Sequence, residues 1–189
     1  MSKDPTELVV AGTGTVWVHD LGEALPAELS TDLAAAGWTD VGYTTEDGVM
    51  LAATKETQEI RAWQSKYPIR RIVDAAEARI EFKLQQWNEV TLPMAFGGGT
   101  IADTPTGAGL KQYNIPVDQQ VVYKAAVLEI VDGAAVWRVC FDRVAVTGSG
   151  ETQFTRTAEA GLPMTLTAEP ASGAATSLGK ILAPSGALG

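Results

Sequence analysis

Reactive side chains are scarce in this sequence. Its 189 residues include one cysteine, Cys140, and one histidine, His19. A lone cysteine forms no intramolecular disulfide, and two N/S donors fall short of the four a structural zinc takes. Catalysis by Cys140 and His19 would require them to meet beside an orienting acid. Cys140 instead sits in the apolar run 136–146 and reads as a packed thiol, which suits a reducing compartment. Basic runs are also missing. Arg70-Arg71 is the longest, and 14 Lys and Arg stand against 23 Asp and Glu, for a formal charge of −9. Proteins that grip nucleic acid do so with clustered cations on phosphates, so tight DNA binding is not expected and repulsion of DNA is. No stretch approaches ~20 apolar residues, so no helical membrane span is expected. Residues 8–18 are too broken by Gly and Thr for the apolar region of a signal peptide, and Lys3 is offset by Asp4.

Motifs that carry chemistry are incomplete. Gly12-Thr13-Gly14 lacks the third glycine of a dinucleotide fingerprint. GAATSLGKI at 173–181 misses a phosphate-binding loop by one residue of spacing, and Ile181 stands where a magnesium-binding hydroxyl belongs. Glu46-Asp47 reads as a turn, and Glu77 with Glu81 as a solvated strand face; a glycosidase pair is defined by separation in space. Five tryptophans, Trp17, Trp38, Trp63, Trp87 and Trp137, are many for this length. They could stack on sugars or bases, but core and interface anchoring is the simpler role. The expectation is no enzyme, no cofactor and no metal.

What is present is turn chemistry and strand patterning. Nineteen Gly and nine Pro suit a β-rich fold. Residues 1–14 read as an N-terminal arm, and 15–19 (TVWVH) as a first strand. Leu29, Leu33 and Gly37 allow a helical turn or two after Pro26. Period-two patterning begins at Trp38. Glu46-Asp47-Gly48 predicts a hairpin turn, with 49–60 as the return strand. A second pair is 69–73 and 78–87, turning near Ala75-Ala76. In 78–87, Ile80, Phe82 and Leu84 alternate with Arg79, Glu81, Lys83 and Gln85, so one face is core and the other polar. Residues 88–96 predict a short helix capped by Asn88, with Glu89 in its first turn, Pro93 limiting its length and Gly97 ending it. Residues 97–109 read as a loop. A third hairpin joins 121–131 to 135–146 across Asp132-Gly133. Strands follow at 152–156 and 162–169, the latter pointing Leu162, Met164, Leu166 and Ala168 inward, with Pro163 marking a strand start or an edge. Residues 171–189, rich in Ala, Gly and Ser, read as a flexible C-terminal tail.

Four segments resemble one family. GWTDVGYTTEDGV (37–49), KETQEIRAWQSKYPIR (55–70), AFGGGT (95–100) and the closing run 139–170 are similar, in this order and spacing, to the major tail proteins of actinobacterial siphophages. The resemblance spans roughly residues 15–170. It implies a mainly β fold: a tail-tube-type β-sandwich or barrel over 15–170, with one short flanking α-helix and arms at 1–14 and 171–189. It further implies hexameric rings whose inner sheets join into one barrel, stacked as the tail tube of a virion assembled in the host cytoplasm. The implied partners are further copies of the chain, a tape-measure protein, and terminator and distal tail proteins. DNA would be met only in transit and no membrane would be involved. The long hairpin loop, here around 54–68, and the N-terminal arm would bridge rings.

The residues support this on their own terms. Polar alternation on 78–87 suits a channel lining, free sheet edges need pairing, ring closure and stacking supply it, and an acidic wall lets phosphates slide. Strand alternation makes Glu56, Glu59, Glu77, Glu81 and Glu129 candidates for lumen or inter-ring polar contacts. Trp63 and Tyr67 are the candidate inter-ring anchors. Alternatives are the inner tube of a contractile tail or secretion apparatus, and a virion decoration or carbohydrate-binding β-sandwich.

Overall fold

The computed structural model describes residues 8–103, 109–157 and 159–185. Its elements, in chain order, are β1 (Thr13–His19), β2 (Thr39–Asp40), β3 (Thr44–Ile60), β4 (Arg70–Leu84), α1 (Thr91–Ala95), β5 (Thr100–Asp103), β6 (Lys111–Asn114), β7 (Tyr123–Asp132), β8 (Ala135–Ser149), β9 (Leu162–Ala168) and β10 (Gly179–Leu182). One antiparallel sheet runs β2-β1-β7-β8-β9-β4-β3, with β10 added on β8, while β5 and β6 form a separate ribbon. The fold is mainly β and consistent with a β-sandwich.

The long strand β8 makes two layers out of one sheet. Its first part pairs with β7, from Asp132↔Ala135 to Tyr123↔Ala145, and its last part pairs with β9, from Val144↔Ala168 to Ser149↔Met164. One layer is therefore β2-β1-β7-β8-β10 and the other β8-β9-β4-β3. Between them lie Val16, Val18, Ala126, Leu128 and Phe141 from the first layer and Ile80, Phe82, Leu84, Met164 and Leu166 from the second. The expected inward alternation of Ile80, Phe82 and Leu84 and of Leu162, Met164, Leu166 and Ala168 is present.

The outer face of the first layer is covered. Trp17, Ala125, Val127 and Cys140 on that face meet Leu25, Leu33, Trp38 and Leu182. Leu33 and Trp38 are placed by a single turn closing at Gly37, whose φ is 86°. Trp38 N–H donates to the Leu33 carbonyl at 2.9 Å and Gly37 N–H to Ala34 at 3.1 Å. This is the paired bonding of a glycine-terminated helix end, with its apolar contact between the two flanking residues. One turn forms here, capped by Asp32 Oδ1 on Ala35 N–H.

Several turns fall elsewhere than expected. Glu46-Asp47-Gly48 is no hairpin turn but a bulge inside β3: Thr44 pairs with Leu84 and Val49 already with Phe82. Gly48, at φ 74°, supplies a positive φ that a bulge uses as readily as a turn. Ala75-Ala76 does not turn either. It continues β4, and the register slips around Asp74, between Ala75↔Glu56 and Val73↔Thr57. Alanine has no preference for the positive φ a tight turn requires. The chain reverses instead at residues 61–69, closed by Ile69 N–H to the Ile60 carbonyl at 2.9 Å. The Asp132-Gly133 turn lies where the sequence puts it.

The helix is shorter than expected, starting at Thr91, so Glu89 lies ahead of its first turn, and Asn88 organises the turn that leads into it. Its Oδ1 accepts from Val90 and Thr91 N–H at 2.9 Å each, and its own N–H donates to Thr91 Oγ1 at 2.9 Å. Pro93 is the third residue of α1, where a missing N–H costs nothing. The loop expected over 97–109 contains β5, paired in register with β6; residues 104–108 lie outside the described ones. No strand forms at 152–156, where Phe154 rests on Trp87 at 5.6 Å.

Residues 12–14 and 179–182, near the two ends of the described chain, contribute to the sheet. Gly12 N–H donates to the Val131 carbonyl and Thr13 and Gly14 pair with β7, so β1 starts inside the segment read as an arm. Gly179–Leu182, inside the stretch read as tail, lies against β8. A Cβ on Gly179 would stand 2.0 Å from the Cys140 carbonyl oxygen, so only glycine fits. The glycine and lysine of the near-miss phosphate loop are thus strand residues.

Candidate assembly surfaces

The two outer faces of the sandwich differ. Nothing among the described residues covers the second layer as residues 21–38 cover the first. On β4 this open face carries Glu77, Arg79, Glu81 and Lys83, one from every second residue. Register places Thr54, Ala52 and Met50 beside the first three on β3, and Thr167 and Thr165 beside Arg79 and Glu81 on β9. Thr147 and Thr167 hydroxyls share a hydrogen bond of 2.8 Å. Arg79 lies between Glu81, its closer partner, and Glu77 at 3.4 Å. The Glu81 carboxylate, then Glu77, holds the Arg79 guanidinium still more firmly protonated than usual. The face is a charge-balanced stripe edged with threonine. Beyond it, the outer edge of β3 has no neighbouring strand among the described residues.

Register separates the five glutamate candidates. Glu56, Glu77 and Glu81 share the open face. Glu59 lies on the opposite face of the β3–β4 ribbon, opposite Arg71. There its carboxylate accepts from Arg61 at 2.9 Å and Arg71 at 2.7 Å, and these two cations hold it below the usual carboxylate range. Glu129 is engaged within the subunit. Its Oε2 is 2.7 Å from Arg138 Nε and 2.6 Å from Nη2, and Arg138 is 5% exposed. Arg138 also donates to the carbonyls of Glu28 at 3.0 Å and Thr31 at 2.9 Å. This pair clamps the covering loop onto the first layer. Sequence alternation found Glu129 but not this role, because the loop carbonyls that complete it are more than a hundred residues from Arg138.

Trp63 and Tyr67 stand at the tip of the β3–β4 ribbon, 99% and 80% exposed. The other tryptophans are scattered. Trp38 is buried, with His19 edge-on at 5.5 Å. Trp87 donates to the Ala160 carbonyl at 2.9 Å at the opposite end of the ribbon. That end also holds a cavity of about 560 Å³ between β2, α1 and the β5–β6 ribbon. Cys140 is fully buried, and loss of hydration pushes its thiol up to about 11. Among the described residues, no group of three or more His, Cys, Asp or Glu is placed to hold a metal ion.

A two-layer β subunit with one clothed face, one bare polar face, a free strand edge and a projecting aromatic ribbon has the features of a structural, self-associating protein. The chain matches the family described as phage tail tube protein over residues 1–182 and belongs to that family. A comparison with curated proteins gives no match.

Proposed function

We propose that copies of this chain close into hexameric rings, and that the rings stack into a hollow tail tube through which DNA passes during ejection. The bare face of the second layer carries this reading. It would line the lumen, joined from subunit to subunit along the free edge of β3, which otherwise invites uncontrolled strand pairing. Glu56, Glu77 and Glu81 would contribute acidity to the wall, and Arg79 and Lys83 would moderate it, so phosphates are neither gripped nor barred. The clothed first layer would form the outside. Segments before β1 and after β10 would reach neighbouring copies as arms. Tape-measure, terminator and distal tail proteins would set the length and ends of a tube assembled in the host cytoplasm. The scatter of the tryptophans argues against a sugar-binding face.

Negative-stain electron microscopy of the concentrated purified protein tests this. Hollow rods, or rings with a central hole, are expected. Small monodisperse particles at every concentration would count against it.

A further inference from the structure

The tip of the β3–β4 ribbon differs in charge from the rest of the chain. Residues 61–71 hold Arg61, Lys66, Arg70 and Arg71 and no carboxylate, while the remainder holds ten basic residues against all 23 acidic ones. Glu59 engages Arg61 and Arg71, and among the described residues Lys66 and Arg70 have no ion pair. Trp63 and Tyr67 project between these cations with almost nothing of their own subunit against them. Exposed large aromatics beside cations are the usual anchors of protein interfaces.

The base of the same ribbon offers a complementary surface. The cavity there is walled by Trp87, Leu92, Ile101 and Tyr113, with Asp40 and Glu89 also on its lining. Asp40 precedes β3, and Trp87 and Glu89 follow β4. The 17 residues of β3 therefore separate tip from cavity, roughly 55 Å at ~3.3 Å per residue. The ribbon cannot bring its tip to its own base, so the two surfaces meet only between copies. Lys111 lines the cavity as well, but its pairing with Glu89 is loose at 3.8 Å and both groups are exposed. An incoming cation can replace it.

We propose that Trp63 of one copy enters this cavity on the next copy along the tube, with Lys66 and Arg70 facing Asp40 and Glu89. The proposal rests on the tube reading above and names the contact that stacks the rings. Each copy gives one tip and receives one, so the contact is heterologous and repeats without closing.

A charge swap tests it. Arg70→Glu and Glu89→Arg are made singly and together, and the concentration at which tubes form is read by sedimentation and electron microscopy. Circular dichroism checks the fold, which both exposed sites leave intact. Each single reversal is expected to raise that concentration roughly tenfold or more, since like charges across a contact are strongly unfavourable. The double variant is expected to return to near the wild-type value, and Trp63→Ala to leave rings that do not stack. Wild-type tubes that the single reversals and Trp63→Ala leave unchanged would overturn this contact alone. Wild-type protein that gives neither rings nor tubes would overturn the tube reading and this contact with it. A labelled DNA duplex bound by the wild type but not by Arg70→Glu would reassign the tip to nucleic acid.

Discussion

Strands β3 and β4 are each continuous, yet their two halves live in different environments. At the base, β4 buries Ile80, Phe82 and Leu84 against β9 and the first layer. Beyond Ala53 and Ala78, no residue of either strand is buried. The same ladder is thus part of a core at one end and a bare two-stranded ribbon at the other. A ribbon of that kind is marginal on its own in water. It stays attached because the base anchors its register. The contacts that hold the core therefore lie on the base half of the hairpin alone.

Substitutions that separate the halves should differ most. Ile80→Ala leaves a cavity in the packed base and is expected to cost about 2–5 kcal/mol in urea unfolding. Ile72→Ala, on the ribbon, is expected to change monomer stability by less than about 0.5 kcal/mol. Equal losses from the two would mean that the ribbon is not independent of the core. Next in size is Arg138→Met. It strands the Glu129 carboxylate and the carbonyls of Glu28 and Thr31, at about 3 kcal/mol. Limited proteolysis should then cut within residues 20–38 well before the sheet unfolds.

The same contrast explains what could be read in advance. Core strands were legible, because alternation in Ile80-Phe82-Leu84 and Leu162-Met164-Leu166 reports a buried face directly. The bulges were not. Asp47-Gly48 supplies the backbone that a turn needs, and only the partner strand decides which it becomes. The ribbon reversal at 61–69 has no Asn-Gly or Asp-Gly to mark it; the family resemblance alone places a hairpin loop nearby, around 54–68, of which 54–60 is strand β3. Strand β10 was hidden because four residues in an Ala/Gly/Ser-rich stretch show no period, and the need for Gly179 is visible only once Cys140 lies against it. The basic tip is hard to read from the sequence because Arg61 and Lys66 are separated by neutral residues from the Arg70-Arg71 pair, and only the ribbon reversal gathers the four at one end.

A smaller effect probes the clothed first layer by pH. The Cys140 thiol titrates near 11 in the fold and near 8.5 when unfolded. Its raised value means that stability is full below the unfolded value and falls as pH climbs toward the folded one. Between about pH 9 and 11 the loss is on the order of 2–3 kcal/mol. Cys140→Ala should remove that part of the slope. An identical slope in wild type and variant would show that the thiol is not shielded by β10 and the covering loop.

The smallest effect lies on the ribbon. Glu59 is held ionised by Arg61 and then Arg71, so its folded value lies below its unfolded one. Its contribution is therefore present above the ordinary carboxylate range and lost as pH falls through the lowered folded value. The pairs are surface pairs, and the core does not depend on them. Amide hydrogen exchange should show residues 57–60 and 70–73 opening sooner in Glu59→Gln than in wild type, with strands β7 to β9 unchanged. The difference should shrink in high salt, because exposed charges are screened. Faster exchange throughout the sheet would tie the ribbon to the core after all, and the division between its two halves would then be one of burial without independence.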